Sequence, residues 1–352
     1  MDNLTCSDEW RGCYDEGWRG LIVPEAFSHP AKFAYGLLTR ILAHGLEKGY
    51  WQTGDTILDP FCGVATGGIV CAYRGLKWIG VECEQHFVAL AERNLGLHRS
   101  KLEGLRCPIP KVVLGDSRYL CHHLAAAGNG CGGTFSGPRA QGSITSPPYA
   151  DIATGAGGLN SKPAKKEGQQ SGRSPQSASQ SADQHYGRGA ITSPPYVSGG
   201  HHTDVFDAWN VNSRGQLIKK ENAGYGKNSQ QIGRLKSGDY RTAMFEVYGQ
   251  LFFALEAGSV IAVVVKDYVK DNKRVPLCQK TWELLELCGF DGLERKRAML
   301  VEEYVHEDLF EGAVTKEKNQ KSFFRRLHES RGGPAIDYEE VLFLIKPEQH
   351  QH

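Results

Sequence analysis

At 352 residues, 40% of them hydrophobic, the chain can build one large domain or two modest ones. Its 41 basic and 40 acidic residues leave a net charge of +1, which excludes a polycationic protein, so any polyanion must meet a local patch. Ten cysteines without a Cys-x-x-Cys pair or a zinc-like His/Cys spacing point to reduced thiols in a cytoplasmic protein, with no metal expected.

Residues 1–26 are polar with early aromatics, including Trp10 and Trp18, and read as a surface arm. After His29-Pro30, apolar residues Phe33, Leu37, Leu38, Ile41, Leu42 and Leu46 recur at helical steps. Gly49 and Gly54 punctuate the end of that pattern. A short apolar strand then ends at Asp59 and passes into a turn, Pro60-Phe61-Cys62-Gly63-Val64-Ala65. A helix at about 68–73 leads to a second strand ending at Glu82. A helix over 85–97 follows, then a third strand that reaches Asp116. Strand, helix, strand, helix, strand is the signature of a parallel α/β sheet with helices on both faces. Ligands of such sheets sit at the carboxyl ends of the strands, where Asp59, Glu82 and Asp116 all fall. The longest aliphatic run, Val260 to Val265, suits a buried strand and is too short to span a bilayer.

A helix is expected at 120–127. From about residue 121 to 240, glycine, serine, glutamine and asparagine dominate, and the stretch 161–184 has almost no core-forming residues. The expected organisation is an arm (1–26), a first half of the main domain (27–150), a flexible insertion (151–240) and a second half (241–347). That second half holds a helix over 241–255, the strand 260–265, a helix from Pro276 to Cys288 stopped by Gly289, and strands at 298–301 and 341–345.

One string occurs twice: Ser146-Pro147-Pro148-Tyr149 and Ser193-Pro194-Pro195-Tyr196, each after a threonine and a short β-favouring stub. Adjacent prolines cannot donate backbone hydrogen bonds and each fixes its φ, so a strand entering Pro-Pro must stop in a stiff loop. That loop offers a small hydroxyl, free carbonyls and an aromatic face. Such a set can accept hydrogen bonds from an amino group and stack on a flat ring. A proline turn with a tyrosine plug is the plainer alternative.

Together these motifs resemble the S-adenosylmethionine-dependent DNA amino-methyltransferases, over roughly residues 27–347. The Gly-x-Gly-x-x-Gly of a dinucleotide site is absent. So is the Pro-Cys nucleophile of the cytosine-C5 enzymes. The resemblance implies a Rossmann-like class I methyltransferase, with a mostly parallel seven-stranded sheet. It implies S-adenosyl-L-methionine as cofactor and double-stranded DNA as substrate, without a membrane, and leaves room for a restriction endonuclease partner. By position, His29, Pro30 and Phe33 match the motif flanking the methionine end of the cofactor. Asp59, Pro60, Phe61 and Gly63 match the first cofactor loop, with Val64-Ala65 where the family commonly has Ser-Gly. Glu82 matches the acid that accepts the ribose hydroxyls, and Asp116 the acid that accepts the adenine amine. Helix capping is the other reading of these acids.

The matched catalytic loop would take the two hydrogens of a base amine on the serine hydroxyl and the first proline carbonyl, while the tyrosine stacks on a base flipped from the duplex. Only one copy can end strand four. The ordinary distance after Asp116 points to the first, with Ser193 to Tyr196 as a spare. Serine at the motif's first position resembles the cytosine-N4 enzymes more than the adenine-N6 enzymes. A DNA-binding module without catalysis is the reading from another class. Phosphate contacts are expected from Lys219, Lys220 and Lys227 in the insertion, and from Arg325 and Arg326 downstream.

Overall fold

The computed structural model describes residues 8–29, 32–128, 187–194, 209–211, 217–219, 232, 235, 237–270, 272–308, 312–319 and 332–348. In chain order the elements are β1 (Asp8–Trp10), α1 (Tyr35–Glu47), β2 (Thr56–Asp59), α2 (Thr66–Tyr73), β3 (Lys77–Glu82), α3 (Gln85–Gly104), β4 (Lys111–Leu114), α4 (Leu120–Gly128) and β5 (Gly187–Thr192). There follow β6 (Trp209–Val211), β7 (Leu217–Lys219), α5 (Ser237–Ala254), β8 (Leu255–Val265), β9 (Tyr268–Lys270), β10 (Lys273–Val275), α6 (Leu277–Leu287), β11 (Asp291–Met299), β12 (Val301–Asp308), β13 (Gly312–Asn319) and β14 (Tyr338–Ile345). Two short 3-10 turns, Pro24–Ser28 and Ser117–Tyr119, complete the set.

Eight strands form one sheet in the order β1-β11-β14-β8-β5-β2-β3-β4. Every neighbour pair is parallel except the two made by β14. This is the parallel α/β sheet anticipated from the alternating pattern and the Rossmann-like topology implied by the resemblance, with one strand more than the seven expected. The extra one is β1. The stretch expected as a surface arm adds a parallel strand to the sheet edge and buries Trp10 and Trp18. Trp10 packs edge-on against His44 and Phe343, and the Trp18 indole donates to the Phe33 carbonyl at 2.6 Å. Those two aromatics bury too much apolar surface to stay in water.

The central strands β2, β5, β8 and β14 are buried on both faces, and the two faces follow the period of two along each strand. Ile57, Ile191, Ala262 and Val264 face one core, shared with Leu37, Leu38, Ile41 and Leu42 of α1 and with Ile69, Phe87 and Leu90 of α2 and α3. Leu58, Ala190, Ile261 and Val263 face the other, under α4, α5 and α6. The carboxyl ends of β2, β3, β4, β5 and β8 therefore share one edge. Among the described residues no helix is long and apolar enough to cross a membrane.

The expectation about strand four is corrected. The strand between β2 and β8 is β5, which runs into the second copy, Ser193-Pro194, not the first. A core strand thus lies inside the stretch assigned as an insertion, and the long connection precedes the strand instead of following its loop. The first copy, Ser146 to Tyr149, lies outside the described residues.

Candidate active site

β2 ends at Asp59 because Pro60 has no N–H to continue the ladder. The Asp59 carboxylate accepts from the Phe61 amide at 3.0 Å, which turns the chain back over the strand end. The turn is held from three sides. Cys62 N–H donates to the Val81 carbonyl, and the Ser117 hydroxyl donates to the Pro60 carbonyl. Asn94 of α3 is fully buried. Its amide donates to the Val64 carbonyl at 2.9 Å and accepts from Val23 N–H at 2.8 Å, clipping the N-terminal segment to the loop.

Gly63 has φ +51°, in the left-handed region, and a Cβ there would lie 2.7 Å from both Cε1 and Nε2 of His29. Ala65 takes the same region, at φ 60°, with a Cβ that makes it costly. The loop glycine is therefore required by both backbone and neighbour. His29 is buried edge-on against Phe87, with centroids 4.3 Å apart. Burial drives its pKa down to about 3, with the Lys32 charge adding to the shift, so the ring is neutral at ordinary pH.

Glu82, at the end of β3, accepts from Gly63 N–H on Oε2 at 3.1 Å and from Glu84 N–H on Oε1 at 2.9 Å. Oε1 also accepts from the Cys83 thiol at 3.6 Å, so of the two acceptor sites on each oxygen it is Oε2 that keeps one for a ligand hydroxyl. Burial pushes the pKa of Glu82 upward, opposed by those amide bonds. Asp59 is fully buried and has no ion pair among the described residues. Burial raises its carboxyl to about 7, against the Phe61 amide and the nearby Thr192 hydroxyl, which pull it down. That hydroxyl approaches Asp59 without making a hydrogen bond of good geometry. A cationic ligand would find in Asp59 a carboxylate uncommitted to any other cation.

Asp116 is buried and caps the 3-10 turn that follows it. Its carboxylate accepts from Arg118 N–H at 3.0 Å and from the Arg118 guanidinium on both oxygens. The capping role is thus what this structure shows for Asp116. Its own N–H donates to His123 Nε2 at 3.1 Å, while Gly115 leaves room for that ring.

Asp59, Gly63, Glu82 and His29 come together at the ends of β2 and β3. Asp116 stands at the next strand end beyond β3, and Ser193-Pro194 at the strand end beside β2. Phe33 lies buried in the core on one face of the sheet, and Phe61 is half-buried against the core on the other. Pro30, Pro195, Tyr196, Lys220, Lys227, Arg325 and Arg326 lie outside the described residues, and Lys219 ends the short β7 strand. Asn94, His123 and Arg118 were not singled out in the sequence. Only their contacts reveal them, because a polar residue inside a helix carries no local signal of its partner.

Residues 4–93 match the family model described as a DNA methylase. Over these residues the chain is similar to the DNA amino-methyltransferases. The match takes in His29, Asp59 and Glu82 and stops before either Ser-Pro-Pro-Tyr copy. Among curated relatives, the type II methyltransferase M2.DpnII of Streptococcus pneumoniae is 31% identical over 97 residues, 27% of this chain and 32% of its own. M2.MboI of Moraxella bovis is 38% identical over 66 residues, covering 19% of this chain and 22% of its own. The DNA adenine methyltransferase YhdJ of Escherichia coli (strain K12) is 32% identical over 74 residues, 21% and 24% respectively. The aligned stretch thus spans about a third or less of each of these relatives.

Proposed function

We propose that this chain transfers a methyl group from S-adenosyl-L-methionine to the exocyclic amine of a base in double-stranded DNA. One observation carries the reading: the Ser193-Pro194 turn ends the strand next to β2, so an amine-accepting loop borders the Asp59–Gly63 loop and Glu82.

The residues present fit the cofactor. Glu82 keeps an acceptor site on Oε2 for a ligand hydroxyl, with the second site of Oε1 held only by the weak Cys83 thiol, Gly63 allows close approach, and Asp59 is a buried acid with no ion pair among the described residues. When bound, S-adenosylmethionine supplies an electrophilic methyl group. The chain's own part is to hold and orient. A ring-conjugated amine is a weak nucleophile because its lone pair is delocalised. The Ser193 hydroxyl and the Pro194 carbonyl would each accept one amine hydrogen, which localises the lone pair and aims it. Tyr196 would stack on the flipped base, returning about 1–3 kcal/mol of the few that flipping costs.

Serine at the motif's first position supports cytosine N4 as the acceptor. The printed name of the YhdJ relative supports adenine N6 as the second reading. Digestion of DNA incubated with protein and labelled cofactor, followed by mass spectrometry of the nucleosides, tests both. N4-methylcytosine is expected, N6-methyladenine would move the assignment to adenine, and no labelled nucleoside at all would reject the function.

A further inference from the structure

The sheet edge that carries Ser193 continues past β8 into a cationic rim. Register places it. Thr192 pairs with Val263, so Pro194 is level with Val265. Val265 pairs with Glu340, and Glu340 with Arg297. Arg297 therefore lies on the same line as the amine-accepting turn, three strands away, or about 14 Å at the ordinary interstrand spacing.

At that place one ring holds two guanidiniums. Arg297 lies 5.0 Å and Arg274 5.4 Å from the centre of Tyr338. Arg274 is already fixed. It donates to Asp267 at 2.6 Å and to the Tyr338 hydroxyl at 2.8 Å. Asp267 is in turn occupied by Cys278 N–H. Arg297 is different: its Nε is buried with no hydrogen-bond partner among the described residues. A guanidinium has five donors in a rigid fork, and an unmet one beside a second guanidinium calls for an anion. Lys273 extends the charge, exposed on the tight β9–β10 hairpin next to Arg274. The acids nearby are Asp267, Glu339 and Glu340. Glu340 lies 3.9 Å from Arg295 and also feels the charges of Arg297 and Arg274, and Glu339 accepts from Tyr14 and faces Lys266.

We infer that Arg297, Arg274 and Lys273 form a phosphate clamp that grips the nucleic-acid backbone beside the flipped base. This rests on the function proposed above and names residues for the contact with its substrate. Arg274 and Tyr338 preorganise the clamp, and Arg297 and Lys273 supply the free donors. A backbone contact carries no base information, so the clamp positions the strand without choosing its sequence.

The test is the salt dependence of duplex binding by the full chain, with wild type, Arg297→Gln, Lys273→Gln and the double variant. Arg274 is left intact because its removal would strand the buried Asp267. Each lost phosphate contact lowers the slope of log K against log salt by about 0.9. The double variant should therefore lose nearly two units, equally on all sequences, while S-adenosylmethionine affinity stays at the wild-type value. Arg297→Lys, which restores the charge, should recover most of its share. A double variant that binds and methylates with the wild-type slope overturns the clamp and leaves the methyltransferase reading standing. A wild type with no salt-dependent duplex binding overturns both.

Discussion

Gly63 and His29 should be energetically coupled, and a double-mutant cycle measures by how much. Gly63→Ala imposes two separate costs. The left-handed backbone at φ +51° charges an L side chain about 1–2 kcal/mol. The new methyl would also sit 2.7 Å from two atoms of the His29 ring, where no real Cβ contact occurs. His29 is buried against Phe87 and cannot step aside freely, so the overpacking adds about 1–3 kcal/mol. The single variant should lose about 2–5 kcal/mol. In a His29→Ala background the ring is gone, and only the backbone cost of about 1–2 kcal/mol remains. The coupling is the difference, about 1–3 kcal/mol. Equilibrium urea unfolding of the four proteins reads it directly from the shift in midpoint at constant m. Effects that add to within about 0.5 kcal/mol would refute the argument, because independent sites do just that. Such a result would mean that His29 does not back the loop glycine.

Glu82→Gln keeps the shape but turns an NH2 toward Gly63 N–H or Glu84 N–H and removes charge-assisted acceptors, so S-adenosylmethionine affinity by calorimetry should fall about 10- to 100-fold, at roughly 1.5–3 kcal/mol. Stability against pH should separate two buried groups of opposite sign. The Asp59 carboxyl, raised to about 7, stabilises most below its unfolded value near 4 and loses that contribution as pH rises through 7. The His29 ring, lowered to about 3, stabilises fully above about 6.5 and loses that contribution as pH falls through 3. Between pH 4 and 6.5 the cofactor-free Asp59→Asn variant should therefore gain stability with rising pH relative to wild type, and His29→Asn should lose it; denaturation midpoints that move together would contradict both assignments. Ser193→Ala should cut single-turnover methylation strongly with cofactor affinity unchanged, and Ser146→Ala should cost far less; the reverse ranking would return the catalytic role to the first copy.

Much of the fold was legible in the chain. The three acids at strand ends, the helices between them and the helix stopped by Gly289 follow from apolar period and turn residues. The grouping of the loop and strand-end residues was legible for the same reason. Asp59, Gly63 and Glu82 occupy one short loop and the next strand end, so local order in sequence is local order in space. What stayed hidden depends on distant partners. The N-terminal strand has only three residues, and nothing in them specifies pairing with Lys296, Arg297 and Ala298 near the other end of the chain. The Asn94 amide looks like any polar helical residue until Val23 and Val64 close on it.

The misplacement of strand four has a more specific cause. β5 reads Gly-Arg-Gly-Ala-Ile-Thr, and two glycines in six residues argue against a strand, because glycine weakens a strand interior. The fold makes those glycines necessary. A Cβ at Gly189 would lie 2.1 Å from Nε1 of Trp51, whose indole crosses the strand to donate to the Val260 carbonyl at 3.0 Å. A Cβ at Gly187 would lie 2.9 Å from Cγ of Leu58. The small residues that erase the β signal are thus what lets β5 fit between β2 and β8. With β5 so placed, Ala190, Ile191 and Thr192 are buried, and the chain emerges at Ser193 with no choice of face. The repeated motif is therefore not decided by its own residues, which are identical in the two copies. It is decided by the residues before it: counted back from the shared Ile-Thr, the second copy has Gly187-Arg188-Gly189-Ala190 and the first Ala140-Gln141-Gly142-Ser143, so the glycine that admits Trp51 is matched in both, and the glycine that differs is Gly187, where a Cβ would lie 2.9 Å from Cγ of Leu58.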